Sequence, residues 1–227
     1  MATITGPNIV TNGLVQAIDA ASARSYPGSG TAWNDLSFKK NNTTLENSPV
    51  YSSDKEGVFE MDGTDDYVDA AASQSVYSLT RYISVFATVK LNNVSGFNGI
   101  FGQFTGGNGM VHFQTFGTTF GVFVYGPNLS TSSSGITLTA DTWMNLGFTF
   151  DGTTAKMFLN GLKVGTATTS STANIGTASP ADIAWGRVFS ASRNFDGDFA
   201  EGKVYNRGLT EAEALQNFNG IRSRFGI

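Results

Sequence analysis

The segment Lys156-Met157-Phe158-Leu159-Asn160-Gly161-Leu162-Lys163-Val164-Gly165-Thr166-Ala167 decides the fold. Asn-Gly is a dipeptide that accepts positive φ at both positions, which the tight two-residue turn of a β-hairpin requires. Here it sits between two runs of strand-forming residues, so the segment reads as strand, turn, strand. Upstream, Trp143 through Phe150 forms another apolar run closed by Asp151-Gly152, again a turn dipeptide. Further back, Ile83, Val85, Ala87, Val89 and Leu91 alternate with Ser84, Phe86, Thr88 and Lys90, a period of two that predicts a strand with one face buried. Residues 99–104, 110–116 and 120–125 are short aromatic runs punctuated by Gly and Asn, the last two joined by Gly117-Thr118-Thr119. Residues 183–186 and 198–205 complete the set. Short strands separated by turns at this spacing predict an all-β antiparallel sandwich or barrel.

Composition agrees and excludes several functions. The chain has 227 residues, 40% hydrophobic and 14% charged, enough apolar material for a core without staples. Thr and Ser supply 48 residues and Gly 27, a balance that fits strands and turns rather than a helical bundle. The net charge of -4 and the lack of a Lys/Arg cluster argue against nucleic acid as a partner. With no Cys and a single His, His112, disulfides, thiolate metal sites and multi-histidine zinc sites are excluded. No apolar stretch is long enough to cross a membrane as a helix. The opening residues carry neither the basic nor the apolar region of a secretory signal, so synthesis in a cytoplasm without a signal peptide is expected.

One helix is predicted near the C-terminus. Thr210-Glu211-Ala212-Glu213 is a capping box, Ala214, Leu215 and Phe218 give an apolar stripe, and Gly220 is the expected stop. Residues 1–12 read as an arm and 13–227 as one domain. In the arm, Ile4, Ile9 and Val10 are expected to dock on another surface, either the domain's own or that of a neighbour in a homo-oligomer.

Four segments carry a family resemblance. Gly13-Leu14-Val15-Gln16-Ala17-Ile18-Asp19 with Trp33-Asn34-Asp35-Leu36-Ser37, then Phe59-Glu60-Met61-Asp62-Gly63-Thr64-Asp65-Asp66-Tyr67-Val68, then Trp143 through Gly161, and finally Gly197 through Glu213, resemble a laminin-G-like module of the concanavalin-A-like lectin/glucanase superfamily. The resemblance implies a jelly-roll sandwich with one short C-terminal helix. The opening, with Gly6-Pro7-Asn8-Ile9-Val10, is similar to laminin-G-like virion structural proteins of tailed bacteriophages. It implies a non-enzymatic protein on the virion surface, most simply a capsid decoration protein, with other virion proteins as partners and cell-surface glycans as a further one. The alternative is a free-standing carbohydrate-binding, lectin-like module; a glycoside hydrolase ranks third.

Candidate sites follow from side-chain chemistry. Asp62, Asp65 and Asp66 cluster around Gly63, and calcium takes about six to eight oxygen ligands of this kind. Asp196 and Asp198 are placed to contribute from the closing strand; the competing reading is a self-capped turn. Glu60-Met61-Asp62 begins like a glucanase pair, but the third carboxylate, Asp65, falls in a turn rather than along the strand, where a retaining mechanism needs it about 5 Å away. Sugar binding calls for an exposed aromatic face, for which Tyr26 and Trp33 in a Gly/Ser/Asn-rich loop are the candidates, whereas Trp143 and Trp185 read as core. Residues 92–98, 128–134 and 190–194 are polar loops able to line a ligand edge. His112 reads as a strand histidine facing solvent or a polar pocket.

Overall fold

A computed structural model of the chain describes residues 8–70, 81–105, 108–175, 182–188 and 193–227. In chain order its strands are β1 (Leu14–Asp19), β2 (Ala32–Trp33), β3 (Thr43–Glu46), β4 (Val50–Ser52), β5 (Val58–Asp62) and β6 (Tyr67–Asp69). Then come β7 (Ile83–Leu91), β8 (Phe97–Thr105), β9 (Asn108–Phe116), β10 (Thr119–Val124), β11 (Leu129–Ser132) and β12 (Trp143–Phe150). The last are β13 (Thr154–Leu159), β14 (Leu162–Thr168), β15 (Asp182–Trp185), β16 (Arg187–Val188), β17 (Arg193–Asn194) and β18 (Asp196–Tyr205), followed by helix α1 (Glu211–Phe225). The first sheet runs β14-β13-β12-β7-β18-β5-β4, and β1 joins the same edge of β18 beyond β5. The second runs β11-β10-β9-β8-β15-β6-β3-β2, and β16-β17 form a separate ribbon. Neighbouring strands pair antiparallel throughout both sheets. No helix among the described residues is long and apolar enough to cross a membrane.

The deciding hairpin forms as read. Leu159 pairs with Leu162, and Asn160 and Gly161 take φ of 50° and 74°. Between the sheets lies a core rich in aromatic rings, among them Phe59, Phe101, Phe113, Phe148, Trp185 and Phe199. Each fully buried ring contributes about 2 to 3 kcal/mol of transfer free energy. Gly202 lets the Trp185 ring lie flat on β18, because a Cβ there would sit 2.8 Å from it. The Trp185 indole N–H donates to Gln16 Oε1 at 2.9 Å, which satisfies a polar tip that burial would otherwise penalise.

The alternation in β7 is present, but both of its faces are buried. Ile83, Val85, Ala87, Val89 and Leu91 enter the core between the sheets. The outward residues are covered in turn, because α1 and the arm lie across the outside of the first sheet. There Val10, Phe86, Phe158, Tyr205, Leu209 and Ala214 form a second apolar cluster. A charged pair lies under this cover: Lys203 donates to Glu201, and Thr88 Oγ1 donates to Glu201 Oε1 at 2.9 Å.

Helix α1 starts as the capping box requires. The Glu213 amide donates to Thr210 Oγ1 at 3.2 Å, and the Thr210 amide donates back to Glu213 Oε2 at 2.9 Å. It does not stop at Gly220. The helix passes through that residue and ends at Gly226, whose φ of 71° allows its amide to close on the Arg222 carbonyl at 2.9 Å. Gly220 costs the helix only about 1 kcal/mol relative to Ala, which packing of Phe218 and Phe225 offsets. Of the arm, residues 8–12 are described, and they dock on the domain's own helix. The Val10 amide donates to Asn217 Oδ1 at 2.8 Å, and its carbonyl accepts from the Tyr205 hydroxyl at 3.0 Å. Ile4 lies outside the described residues.

Candidate functional site

The outer face of the second sheet carries the best-equipped concavity. In β9, Val111 and Phe113 point into the core, so alternation turns His112, Gln114 and Phe116 outward. In β10 the same rule buries Phe120 and Val122 and turns out Gly121 and Phe123. A groove of about 230 Å³ forms here, with Tyr125 and Ser130 on its far side. The Phe123 and Tyr125 rings meet edge to face at 4.2 Å between centroids, and His112 meets Tyr125 at 4.9 Å. Phe116 and Tyr125 keep 36% and 39% of their surface exposed, so their faces are available to a ligand.

The remaining wall comes from the β16-β17 ribbon. It packs directly on β8 at Gly99, where a Cβ would lie 2.4 Å from the Arg193 carbonyl oxygen and 2.6 Å from the Val188 amide. Only glycine permits that approach. The ribbon thereby places Arg193 over the Phe97 ring, 4.0 Å from its centroid, and Arg193 Nη1 donates to Gln114 Oε1 at 2.8 Å. His112 is 2% exposed. Burial, and then the Arg193 charge, push its pKa down to about 4, so the imidazole is neutral at pH 7.

Two of the three segments named from sequence as ligand edges supply lining residues, Ser130 and Thr131 from 128–134 and Arg193 from 190–194, of which 190–192 lie outside the described residues; from 92–98 only Phe97 comes near, as the ring beneath Arg193. The two aromatic residues chosen as sugar platforms do not reach it. Trp33 is 0% exposed, with its ring 4.6 Å from Phe59, and Tyr26 is 7% exposed between Tyr51 and Phe59. The Gly/Ser/Asn-rich loop folds these two rings inward to close the sandwich edge, which corrects that assignment. His112 does face a polar pocket. Trp185 is core, whereas Trp143 packs outside the first sheet against Phe225 of α1.

The acidic cluster forms, but much of its oxygen is already engaged. The carboxylates of Asp62, Asp65 and Asp66 each offer an oxygen within 4.8 Å of the others, Asp66 buried and the other two exposed. Asp62 Oδ1 accepts from the amides of Thr64 and Asp65 at 2.7 and 3.3 Å, which holds its pKa below the usual range. Asp66 Oδ2 accepts from the Asp62 amide at 3.2 Å, and burial raises its pKa. Asp196 lies beside Gly63, but its carboxylate accepts from the side-chain Nδ2 groups of Asn92 and Asn93, and Asp198 is paired with Lys90 at 2.6 Å. Glu60 is exposed on β5, with Asp65 in the Gly63 turn rather than along its strand.

A second concavity, of about 330 Å³, lies on the opposite side beneath α1. Its lining includes Ile9, Leu14, Ile18, Leu36, Phe38 and Ile221, with the Lys203–Glu201 pair closed on itself at the floor. Thr11, Asp19 and Ser37 add polar groups to an otherwise apolar wall. The groove on the second sheet offers aromatic faces together with guanidinium, amide, hydroxyl and imidazole groups.

A family model described as the concanavalin A-like lectin/glucanases superfamily matches residues 62–214. The chain belongs to this superfamily. Among solved structures similar to this concanavalin A-like chain is the botulinum neurotoxin serotype G binding domain, with TM-score 0.69 and 13% identity over 90% of this chain and 50% of that one. Another is the CBM40 module of the Ruminococcus gnavus IT-sialidase bound to α2,3-sialyllactose, with TM-score 0.60 and 13% identity over 70% and 94%. A third is domain 4 of a GH43 extracellular arabinanase from Geobacillus stearothermophilus in complex with arabinotriose, with TM-score 0.63 and 14% identity over 92% and 99%. The chain thus spans half of the neurotoxin domain and nearly all of the two modules. At these identities the likeness is one of fold. No curated protein sequence matches the chain.

Gln114, Phe123 and Tyr125 were not singled out from sequence, and Arg193 was included only within residues 190–194. The alternation of His112, Gln114 and Phe116 within residues 110–116 is the signal that would have placed these three on one outward face. Nothing local marks Arg193, which reaches them only through the ribbon's contact with Gly99.

Proposed function

We propose that the chain is a non-catalytic, glycan-binding module whose ligand lies in the groove walled by Phe116, Phe123, Tyr125, Gln114, Ser130 and Arg193. The observation that carries this reading is a groove in which the exposed Phe116 and Tyr125 rings lie beside Gln114, Ser130 and the Arg193 guanidinium that stacks on Phe97. Sugar rings stack their C–H faces on aromatic rings while their hydroxyls bond to such groups. The described lining contains no Asp or Glu, so it supplies no carboxylate pair of the kind that glycoside hydrolysis uses. The sialyllactose-bound and arabinotriose-bound modules support the reading by showing sugar ligands on the same fold.

A place on a virion surface, expected from the opening motif, draws no support from these toxin, sialidase and arabinanase neighbours, and Gly6-Pro7 lie outside the described residues. The lectin-like alternative therefore becomes the main reading. Glycan-array screening followed by calorimetry tests it. Binding of the wild type, and a loss of tenfold or more in Tyr125→Ala at unchanged melting temperature, is the expected result. Absence of binding to any glycan, or full binding by Tyr125→Ala, refutes it.

A further inference from the structure

We infer that the groove takes a linear oligosaccharide laid along β9 and β10, with at least two of its sugar rings stacked on two separate aromatic platforms, rather than a single terminal sugar. The inference rests on the glycan-binding reading and deepens it by naming the form of the ligand. Strand register sets the platforms apart. Phe116 pairs with Thr119 and Phe123 pairs with His112, so four residues of β9 separate their levels. At the rise of an antiparallel strand this is about 13 Å between backbone positions, too far for one pyranose to stack on both side chains.

The two ends are built differently. At one, the Phe123 and Tyr125 rings form a single edge-to-face unit, with Ser130 paired beside Phe123 on β11. At the other, the exposed Phe116 ring reaches over the backbone of Gly121, where a Cβ would lie 3.0 Å from its Cε1 atom. Between them the floor is low and polar. Gln114 pairs with Gly121 across the two strands, and Gly121 adds no side chain. Gln114 is also fixed: its Oε1 accepts from Arg193 Nη1 at 2.8 Å, so the donor end of its amide faces away from that bond. A sequence of ring, amide and ring along the strands suits a chain whose sugars stack at either end while an oxygen between them accepts from Gln114.

The test is a chain-length series titrated into the full chain by calorimetry. The probes are cello-, xylo- and arabino-oligosaccharides of one to four residues, 3′-sialyllactose against free sialic acid, and the strongest ligand of the glycan array against its own terminal monosaccharide. In the series that binds most tightly, the oligosaccharide should bind tenfold or more tightly than the monosaccharide. Phe116→Ala should remove that gain and leave the monosaccharide's affinity unchanged, because the first sugar sits on Phe123 and Tyr125. Phe116→Leu, which keeps bulk without an aromatic face, gives the same comparison if the alanine variant melts early. An oligosaccharide no tighter than its monosaccharide in the wild type overturns this inference and leaves the glycan-binding reading intact, as does a length gain that survives both Phe116 variants. Absence of binding to these probes and to every glycan on the array overturns both.

Discussion

Lowering the pH should destabilise the fold through His112 before it affects most carboxylates. The native imidazole is buried and titrates near 4, whereas in the unfolded chain it titrates near the ordinary 6.5. Below about 6.5 the unfolded state takes up a proton that the native state refuses, so stability falls as pH falls and levels off once pH passes below the native value. The whole difference is worth roughly 3 kcal/mol, and the part lost between pH 7.5 and 5.5 is about 1.4 kcal/mol. Urea unfolding at a series of pH values reads this directly, with His112→Gln as the reference that removes only this titration. The gap between the wild-type and His112→Gln profiles should change by about that amount over the two pH units. His112 is the single histidine, so its ring resonances give an unambiguous native titration. Parallel profiles for the two proteins, or a native midpoint near 6.5, would show that the imidazole is hydrated and the groove wall is not built as described.

Three further perturbations have definite outcomes. Trp33→Ala should cost about 3 to 5 kcal/mol of stability while leaving sugar affinity unchanged in the folded fraction, because the ring is buried; thermal unfolding and calorimetry check both halves. Gly99→Ala should push the β16-β17 ribbon off β8, lowering stability by about 1 to 3 kcal/mol and weakening glycan binding, since the added methyl meets the Arg193 carbonyl. Treatment with a chelator should leave the melting temperature unchanged, because the Asp62 turn is closed by its own hydrogen bonds; a drop restored by calcium would make Asp62, Asp65 and Asp66 a structural metal site.

The fold was legible because its determinants are local. Asn160-Gly161 specifies its hairpin from two residues, and Thr210 with Glu213 specifies a helix start from four. The end of α1 was misread because Gly220 looks like a stop only when the packing of Phe225 against Trp143, 4.7 Å between ring centroids, is unknown. The same limit explains the sugar platforms. A loop of Gly, Ser and Asn around Trp33 suggests exposure, yet Phe59 packs on Trp33, and Phe59 with Tyr51 covers Tyr26. The groove itself joins residues from β9, β10, β11 and the ribbon, and the requirement that brings Arg193 to Gln114 is the absence of a side chain at Gly99. That requirement is tertiary, and no local pattern encodes it.

The most direct test of the glycan-binding account is a backbone amide NMR titration of the full chain with whichever sugar the array identifies. Shift changes should concentrate at Phe97, residues 112–116, residues 121–131 and Arg193. Changes centred instead on Tyr26 and Trp33, or on the cavity lined by Phe38 and Ile221 beneath α1, would contradict it.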